Sequence, residues 1–310
     1  MQLTNRRVRL MGTVIDVSIY HKEPEPLLDQ VEALLHTYNK RFSANDDSSE
    51  LMKINKAAGL HPVTVHPELF ELISLGKWHS CQPGSHLNIA IGPLIQTWRI
   101  GFSDAKLPLP EEIRPLLDII NPNAILLSEE NQSVFLKEKG MKIDLGALAK
   151  GYIADRIADF LKAEKVTSAL INLGGNVLTF GPALHNPDQK WRIGIQNPKE
   201  TRNTNLMVLA IRDKSVVTSG IYERTFEIDG KTYHHIFNSQ TGYPVSSDLA
   251  SLTIISSLSV DGEIWTTRLF GSSLEHIFQE VSSQAELEAI IVDKDNHCFQ
   301  TGGIYKMRIS

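Results

Sequence analysis

Residues 142–152 read KIDLGALAKGY and run directly into a helical pattern of apolar residues over 153–161. The apolar residues before Asp144 predict a short strand that ends at Ile143, and Asp144 is predicted to cap the helix that follows. Two glycines allow close backbone approach, while exposed N–H groups, a helix N-terminus and Lys150 would together attract an anion such as phosphate. A strand-to-helix turn with a capping Asp and a surface Lys is an equally ordinary interpretation of this stretch alone.

Composition and charge limit the classes of function. The chain has 310 residues, 42% of them hydrophobic, which is enough for a buried core. A net charge of −5 and a pI of about 6.1 exclude a global basic field for nucleic acid or anionic membranes, so an anionic ligand must be bound locally. The N-terminal MQLTNRRVRL lacks the apolar region of a signal peptide, and no apolar run reaches the length of a membrane span. We therefore expect a soluble cytoplasmic protein.

The distribution of predicted elements indicates the fold class. Apolar residues at period two over 6–20 predict a half-buried strand or hairpin, interrupted by the sequence MGT. Helical spacing begins at Pro26 and again after His66, and residues 169–177 predict a buried strand that turns on a glycine pair. Strands and helices are mixed without regular βαβ alternation, which predicts an α+β fold. No repeat or linker divides the chain, so we predict one compact domain over residues 1–310.

A possible cation site is contained in the segment 261–267. Glu263 and Thr267 are four residues apart and would share one face of a helix. A carboxylate and a hydroxyl suit Mg²⁺, which takes few protein oxygens and completes its shell with phosphate and water. The alternative is a solvated glutamate beside a threonine that bonds to its own helix.

His235 is the candidate for proton transfer. It stands between His234 and Ile236 in an apolar strand pattern just before a turn. If the segment is a strand, the two histidines point to opposite faces, so at most one of them enters a given site. A neutral imidazole suits a general base for a hydroxyl nucleophile, although a structural histidine is the commoner role at such a position. We select His235.

Four motifs together resemble a known family. They read DLGALAKGY at 144–152, NLGGN at 172–176, TSGIYER at 218–224 and HIFNSQTGYP at 235–244. Their combination is similar to the ApbE family of FAD:protein FMN transferases. The sequence MGT at 11–13, the SEL at 49–51 and the GPL at 92–94 fit the N-terminal half of the same pattern, so the resemblance covers nearly the whole chain.

The resemblance implies both a fold and an activity. The fold is a single α+β, ApbE-like and T-fold-related domain with mixed, largely antiparallel sheets and packed helices. The activity is protein flavinylation, the Mg²⁺-dependent transfer of FMN from FAD to a Thr or Ser hydroxyl of a target flavoprotein. The reaction forms a phosphodiester bond and releases AMP. Targets of the family carry the acceptor in a short glycine-rich motif similar to Asp-Gly-x-Thr/Ser-Gly-Ala.

Site residues follow from the same resemblance, position by position. Matching the motifs assigns FAD contacts to Met11, Asp144 and Lys150, metal ligands to the backbone carbonyl of Ala147 and the side chains of Glu263 and Thr267, and the base to His235. On this assignment the cation neutralises the pyrophosphate and Lys150 helps to hold it, while His235 takes the proton of the attacking hydroxyl.

Three positions depart from the family pattern. Glu263 stands where an Asp is usual, Asn45 stands where an aromatic residue is common, and Asn88 stands where an Asp often precedes the GPL sequence. We assign Asn45 and Asn88 to FAD binding, and expect these changes to affect the isoalloxazine and adenine contacts more than the phosphate chemistry. Two alternatives stay open: an FAD pyrophosphatase that gives FMN and AMP, and a non-catalytic FAD-binding protein.

Overall fold

A computed structural model describes residues 2–309, which form eight α-helices and sixteen β-strands. The helices are α1 (Pro24–Phe42), α2 (Glu50–Lys56), α3 (Pro67–Ser80), α4 (Gly92–Trp98), α5 (Pro110–Leu117), α6 (Ala149–Ala163), α7 (Ser259–Leu269) and α8 (Leu274–Ser282). The strands are β1 (Leu3–Leu10), β2 (Thr13–Tyr20), β3 (Val63–Thr64), β4 (Ile125–Ser128), β5 (Ser133–Leu136), β6 (Ala169–Leu173), β7 (Asn176–Phe180), β8 (Trp191–Gln196), β9 (Asn205–Ile211), β10 (Ser215–Gly220), β11 (Thr225–Ile228), β12 (Lys231–His234), β13 (Leu249–Ser256), β14 (Glu288–Asp293), β15 (Cys298–Gln300) and β16 (Arg308–Ile309).

The largest sheet has eight strands in the order β1-β2-β6-β7-β10-β13-β14-β15, and every neighbouring pair in it is antiparallel. Two three-stranded sheets, β16-β9-β8 and β3-β5-β4, and the hairpin β11-β12 complete the strands of the described chain. Helices and antiparallel strands are mixed along the sequence, so the predicted α+β class is confirmed.

The large sheet separates two apolar layers. Successive side chains of a strand point to opposite faces, and β13 illustrates the consequence. Leu252 and Ile254 pack in the same cluster as Ile157 of α6, on the helical side. Ile255 instead belongs to the cluster of Leu209, a residue of the small sheet that contains β8 and β9. Helices therefore cover one face of the large sheet, and the three-stranded sheet covers the other.

The N-terminal strands form a hairpin. Leu10 pairs with Thr13, so the loop has two residues, Met11 and Gly12, with φ values of 54° and 69°. Two successive residues in the left-handed region are typical of a type I′ turn, whose twist matches that of the flanking strands. The sequence left a single strand and a hairpin as alternatives for residues 6–20. The structure shows the hairpin, with Met11 at its tip.

The predicted helices that start near prolines are confirmed. Pro24 and Pro67 are the first residues of α1 and α3, where proline loses no intrahelical hydrogen bond. In α3 the side chain of His66 accepts a hydrogen bond from the N–H of Glu68 at 3.2 Å and caps the helix. Across residues 2–309, no helix is both long enough and apolar enough to cross a bilayer.

The short strand predicted to end at Ile143 is wrong. Only Lys142 forms a bridge there, to Ile91. The N–H of Ile143 donates to Asn55 Oδ1 at 2.7 Å, and its carbonyl accepts from Asn55 Nδ2 at 3.0 Å. Both backbone polar groups are thus satisfied by one buried side chain of α2, so this apolar segment needs no neighbouring strand.

Candidate active site

A cleft of about 1500 Å³ brings the predicted site residues together. All nine line it, namely Met11, Asn45, Asn88, Asp144, Ala147, Lys150, His235, Glu263 and Thr267. They come from the β1-β2 hairpin, three loops, the first turn of α6, the segment after β12 and the helix α7. Residues more than 250 positions apart in sequence therefore share one cavity, which has room for a ligand as large as a dinucleotide.

Asp144 does not cap the helix, contrary to the sequence prediction. Helix α6 begins at Ala149, and the Asp144 carboxylate accepts a hydrogen bond from the N–H of Gly146 at 2.8 Å. An Asp side chain readily forms such a turn with the residue two positions on, and here this turn shapes the loop before the helix. Burial raises the pKa of the Asp144 carboxyl, while the Gly146 N–H and the nearby Arg224 act in the opposite direction.

Close packing of α6 against α7 depends on Gly151. A methyl group added there would lie 2.6 Å from the carbonyl oxygen of Ser259, 2.7 Å from Cα of Val260 and 2.8 Å from Cγ of Glu263. These distances are shorter than van der Waals contact, so only glycine lets the two helices approach this closely. The approach places Lys150 beside Glu263.

Lys150 and Glu263 form a largely buried ion pair. The Lys150 ammonium lies 2.6 Å from Oε1 of Glu263, and the side chains are 28% and 5% exposed. Asn176 Nδ2 donates to the same oxygen at 2.8 Å, and the side-chain oxygen of Asn176, Oδ1, accepts from the hydroxyl of Ser259. Among residues 2–309 no hydrogen bond reaches Oε2 of Glu263. The sequence NLGGN signalled a turn, but the support that Asn176 gives to Glu263 was missed.

The residues assigned to a metal fit Mg²⁺ chemically. Glu263 and Thr267 lie four residues apart in α7, as predicted, and both line the cleft with Ala147. A carboxylate, a hydroxyl and a backbone carbonyl are hard oxygen ligands of the kind that Mg²⁺ prefers. Asp261, also in α7, is absent from the cleft wall.

His235 follows the end of β12 and is half-buried in the cleft wall. Its Nδ1 lies 3.4 Å from the carbonyl oxygen of Arg224. Burial, and then the positive charge of Arg224, lower the pKa of His235 to about 4, so the imidazole is neutral near pH 7. His234 instead places Nε2 3.0 Å from the carbonyl oxygen of Val245 and is not part of the cleft wall. Of the two histidines, only His235 is available as a base in the cleft.

The two asparagines that depart from the family pattern differ in burial and in their side-chain hydrogen bonds. Asn88 is buried, donates to the carbonyl of Ile120 at 2.8 Å and accepts from the N–H of Ala90 at 2.8 Å. Its amide therefore shapes the loop that it occupies. Asn45 is exposed at the cleft wall, and its backbone N–H donates to the hydroxyl of Ser43 at 3.2 Å.

Arg224 is a cleft residue to which sequence reasoning gave no role. Its side chain reaches both Gly12 and Gly101, since methyl groups added at these glycines would lie 4.0 Å from Nη2 and 3.0 Å from Cδ. It is exposed and lines the cleft with His235. The signal for it was present in the TSGIYER motif, where a charged residue follows a glycine turn. Lys150 and Arg224 are two of the cationic side chains of the cleft wall, and both can face a pyrophosphate.

Comparisons with known proteins place most of this chain in one family. The model of the ApbE family matches residues 11–291. A protein of Klebsiella pneumoniae (strain 342) named FAD:protein FMN transferase is 44% identical over 92% of this chain and 88% of its own length. A protein of the same name from Treponema pallidum (strain Nichols) is 33% identical over 97% of this chain and 87% of its own.

Solved structures share the fold. The crystal structure of the ApbE protein from Thermotoga maritima superposes with a TM-score of 0.91 at 24% identity, covering 100% of both chains. The flavin transferase ApbE from Vibrio cholerae gives a TM-score of 0.86 at 20% identity over 99% of each chain. The resemblance seen in the sequence motifs and the predicted fold class are both confirmed. This chain belongs to the ApbE family.

Proposed function

We propose that this chain is a FAD:protein FMN transferase. In the proposed reaction it moves FMN from FAD to a Thr or Ser hydroxyl of a target flavoprotein in a Mg²⁺-dependent step that forms a phosphodiester bond and releases AMP. Family membership and the names of its relatives support the reaction class. The whole chain would act as one catalytic domain, and a cytoplasmic location stays a prediction from the sequence.

The observation that carries the proposal is the composition of one cleft. It combines a neutral histidine, His235, with the Lys150–Glu263 pair and the hydroxyl of Thr267. Transfer of a phosphoryl-linked group needs a base for the attacking hydroxyl and positive charge around the phosphates. The proposal is supported because side chains that could supply both, His235 and Lys150, face the same cavity.

The roles follow from the chemistry of each group. Glu263, Thr267 and the Ala147 carbonyl would hold Mg²⁺, which when bound neutralises charge on the pyrophosphate. Lys150 would bind the phosphate oxygens, and Met11, Asp144, Asn45 and Asn88 would contact the rest of FAD.

His235 is proposed to accept the proton of the acceptor hydroxyl. The hydroxyl oxygen then bonds to the phosphorus on the FMN side of FAD, and the bond from that phosphorus to the bridging oxygen breaks. AMP leaves with the bridging oxygen and its electron pair, so that one ester replaces one anhydride bond. A base that is neutral near pH 7 can take this proton without first losing one of its own.

The test is a reaction of purified protein with FAD, MgCl₂ and an acceptor domain that carries the glycine-rich motif. Intact mass would report an acceptor heavier by one FMN residue, and chromatography would report AMP. We expect both products from the unsubstituted protein and neither from His235→Ala or Glu263→Ala. His36→Ala is the matched control, because His36 is exposed on α1 and outside the cleft wall.

Other outcomes separate the alternatives. AMP formed without an adduct on any acceptor that carries the motif would favour a pyrophosphatase. Tight FAD binding with neither product would favour a non-catalytic FAD-binding protein. Either result would refute the transferase proposal.

A further inference from the structure

Helix α7 carries two of the proposed metal ligands but begins without a cap from its own segment. The residue before it, Leu258, has no side chain that could accept a hydrogen bond from the first turn. The first N–H groups of a helix need partners when they are buried, and unsatisfied ones weaken the helix start. For α7 the partner comes from another helix.

Asp155 of α6 supplies this cap. Its Oδ1 accepts from the N–H of Ser259 at 2.8 Å, and its Oδ2 accepts from the N–H of Val260 at 2.9 Å. Asp155 is only 5% exposed, and it lies four residues after Gly151, on the face of α6 that packs against α7. A carboxylate at the positive end of a helix dipole, bound through both oxygens, fixes the position of that end.

A second set of contacts links the capped turn to the site. The Ser259 hydroxyl donates to Oδ1 of Asn176 and accepts from the hydroxyl of Ser215 at 3.0 Å. Asn176 Nδ2 in turn donates to Oε1 of Glu263 at 2.8 Å. A continuous chain of buried hydrogen bonds therefore runs from Asp155 through Ser259 and Asn176 to Glu263.

We propose that Asp155 is a positioning residue that acts through Ser259 to hold Glu263 and Thr267 in the geometry needed for Mg²⁺. This inference rests on the proposed function, because it assigns the metal to these two residues. Asp155 is not among the residues of the cleft wall, so in this proposal it contacts neither FAD nor the ion. Residues that orient metal ligands from behind contribute about 10- to 100-fold to metal affinity.

Charge supports the same role. Burial raises the pKa of Asp155 to about 6, against the hydrogen bonds from Ser259 and Val260. Two charged side chains act on it as well: Asp261 of α7 raises its pKa further, and Arg156 of α6 lowers it. Below about pH 6 a protonated Asp155 would keep one acceptor oxygen and lose the charge at the helix terminus.

The experiment titrates the full-length protein, saturated with FAD, with MgCl₂ by calorimetry. In Asp155→Asn the amide offers one acceptor, and its NH₂ group faces the other N–H of the turn. Ser259→Ala keeps both bonds to Asp155 but breaks the link to Asn176. Asp159→Asn is the matched control, because Asp159 lies one turn further along α6, is exposed and pairs only with Arg156 among the described residues.

We expect about 10- to 100-fold weaker Mg²⁺ binding in Asp155→Asn and Ser259→Ala, and no change in Asp159→Asn. The ratio of the affinities of the unsubstituted protein and Asp155→Asn should approach one as the pH falls below about 6, because both then lack the charge. Lower stability of Asp155→Asn without that pH-dependent ratio would overturn the inference.

Unchanged Mg²⁺ binding in folded Asp155→Asn would also overturn the inference. If Asp155→Asn does not fold, unchanged Mg²⁺ binding in Ser259→Ala would overturn it instead. If the unsubstituted protein bound no Mg²⁺, the inference would fail together with the metal site. If it bound Mg²⁺ and Asp155→Asn weakened that binding, but no acceptor received FMN, the positioning role would stand while the proposed function failed.

Discussion

Removal of the Lys150 ammonium should destabilise the folded protein through Glu263. The Glu263 side chain is 5% exposed, and its Oε1 is held by Lys150 at 2.6 Å and by Asn176 at 2.8 Å. Lys150→Met deletes the charge but keeps most of the length of the chain. The Glu263 carboxylate would then be left in the interior with one neutral donor.

The magnitude follows from burial. Removing one partner of a buried ion pair costs about 3–5 kcal/mol, because the other charge is left uncompensated. Lys150 is 28% exposed, so water can reach the vacated position, and we expect about 2–3 kcal/mol. Glu263→Gln leaves a partly hydrated ammonium and should cost about 1 kcal/mol. The double variant has no unpaired charge, so its cost should be smaller than the sum by about 1–2 kcal/mol.

Urea denaturation of the four proteins in the absence of Mg²⁺ and FAD measures this coupling directly. Lys162→Met is the matched control, since Lys162 is exposed on the same helix, and we expect it to change the free energy of unfolding by less than about 0.5 kcal/mol. Additive single-variant effects, or a cost for Lys150→Met no larger than that for Lys162→Met, would refute the reasoning.

Two further predictions concern packing and pH. Gly151→Ala should gain about 1 kcal/mol of helix propensity but lose about 1–3 kcal/mol to overpacking against backbone atoms of Ser259 and Val260. Mg²⁺ binding should weaken as the α6-α7 contact opens. Unchanged stability together with unchanged Mg²⁺ binding would contradict this prediction. Burial, and then Arg268, lower the pKa of His79 to about 4 from 6.5, so the folded state resists a proton that the unfolded chain accepts. The free energy of unfolding of the unsubstituted protein minus that of His79→Leu should therefore be constant above about pH 6.5 and fall as the pH decreases towards 4. A difference that does not change with pH would contradict this prediction.

Local chemistry was sufficient to predict much of the fold. Prolines located the starts of α1 and α3, and the glycine pair at 174–175 located the turn between β6 and β7, because these residues restrict or permit backbone angles by themselves. The spacing of Glu263 and Thr267 predicted a shared helix face, since a helix repeats every 3.6 residues. The family resemblance carried by the motifs selected nine residues, and all nine are among those that line the cleft.

Two predictions from local signals were wrong because another hydrogen bond, one distant and one local, was formed instead. Asn55 satisfies both backbone groups of Ile143, so the apolar segment before Asp144 forms no strand. Asp144 bonds to Gly146 in a tight turn, a structure as accessible to Asp as a helix cap. The energies of these alternative hydrogen bonds could not be compared from the sequence, because the energy of a hydrogen bond depends on which groups are buried together.

Sequence patterns predicted the α+β class, the starts of α1 and α3 and the residue types available for chemistry. Only the tertiary structure decided their relations: Lys150 meets Glu263 across 113 positions, and Asp155 caps a helix that begins 104 positions later. It also places His235, the histidine selected from the sequence, in the cleft wall, where burial lowers its pKa to about 4. Contacts between distant segments and the loss of water around a charge arise only when the chain has folded, so no local pattern encodes them.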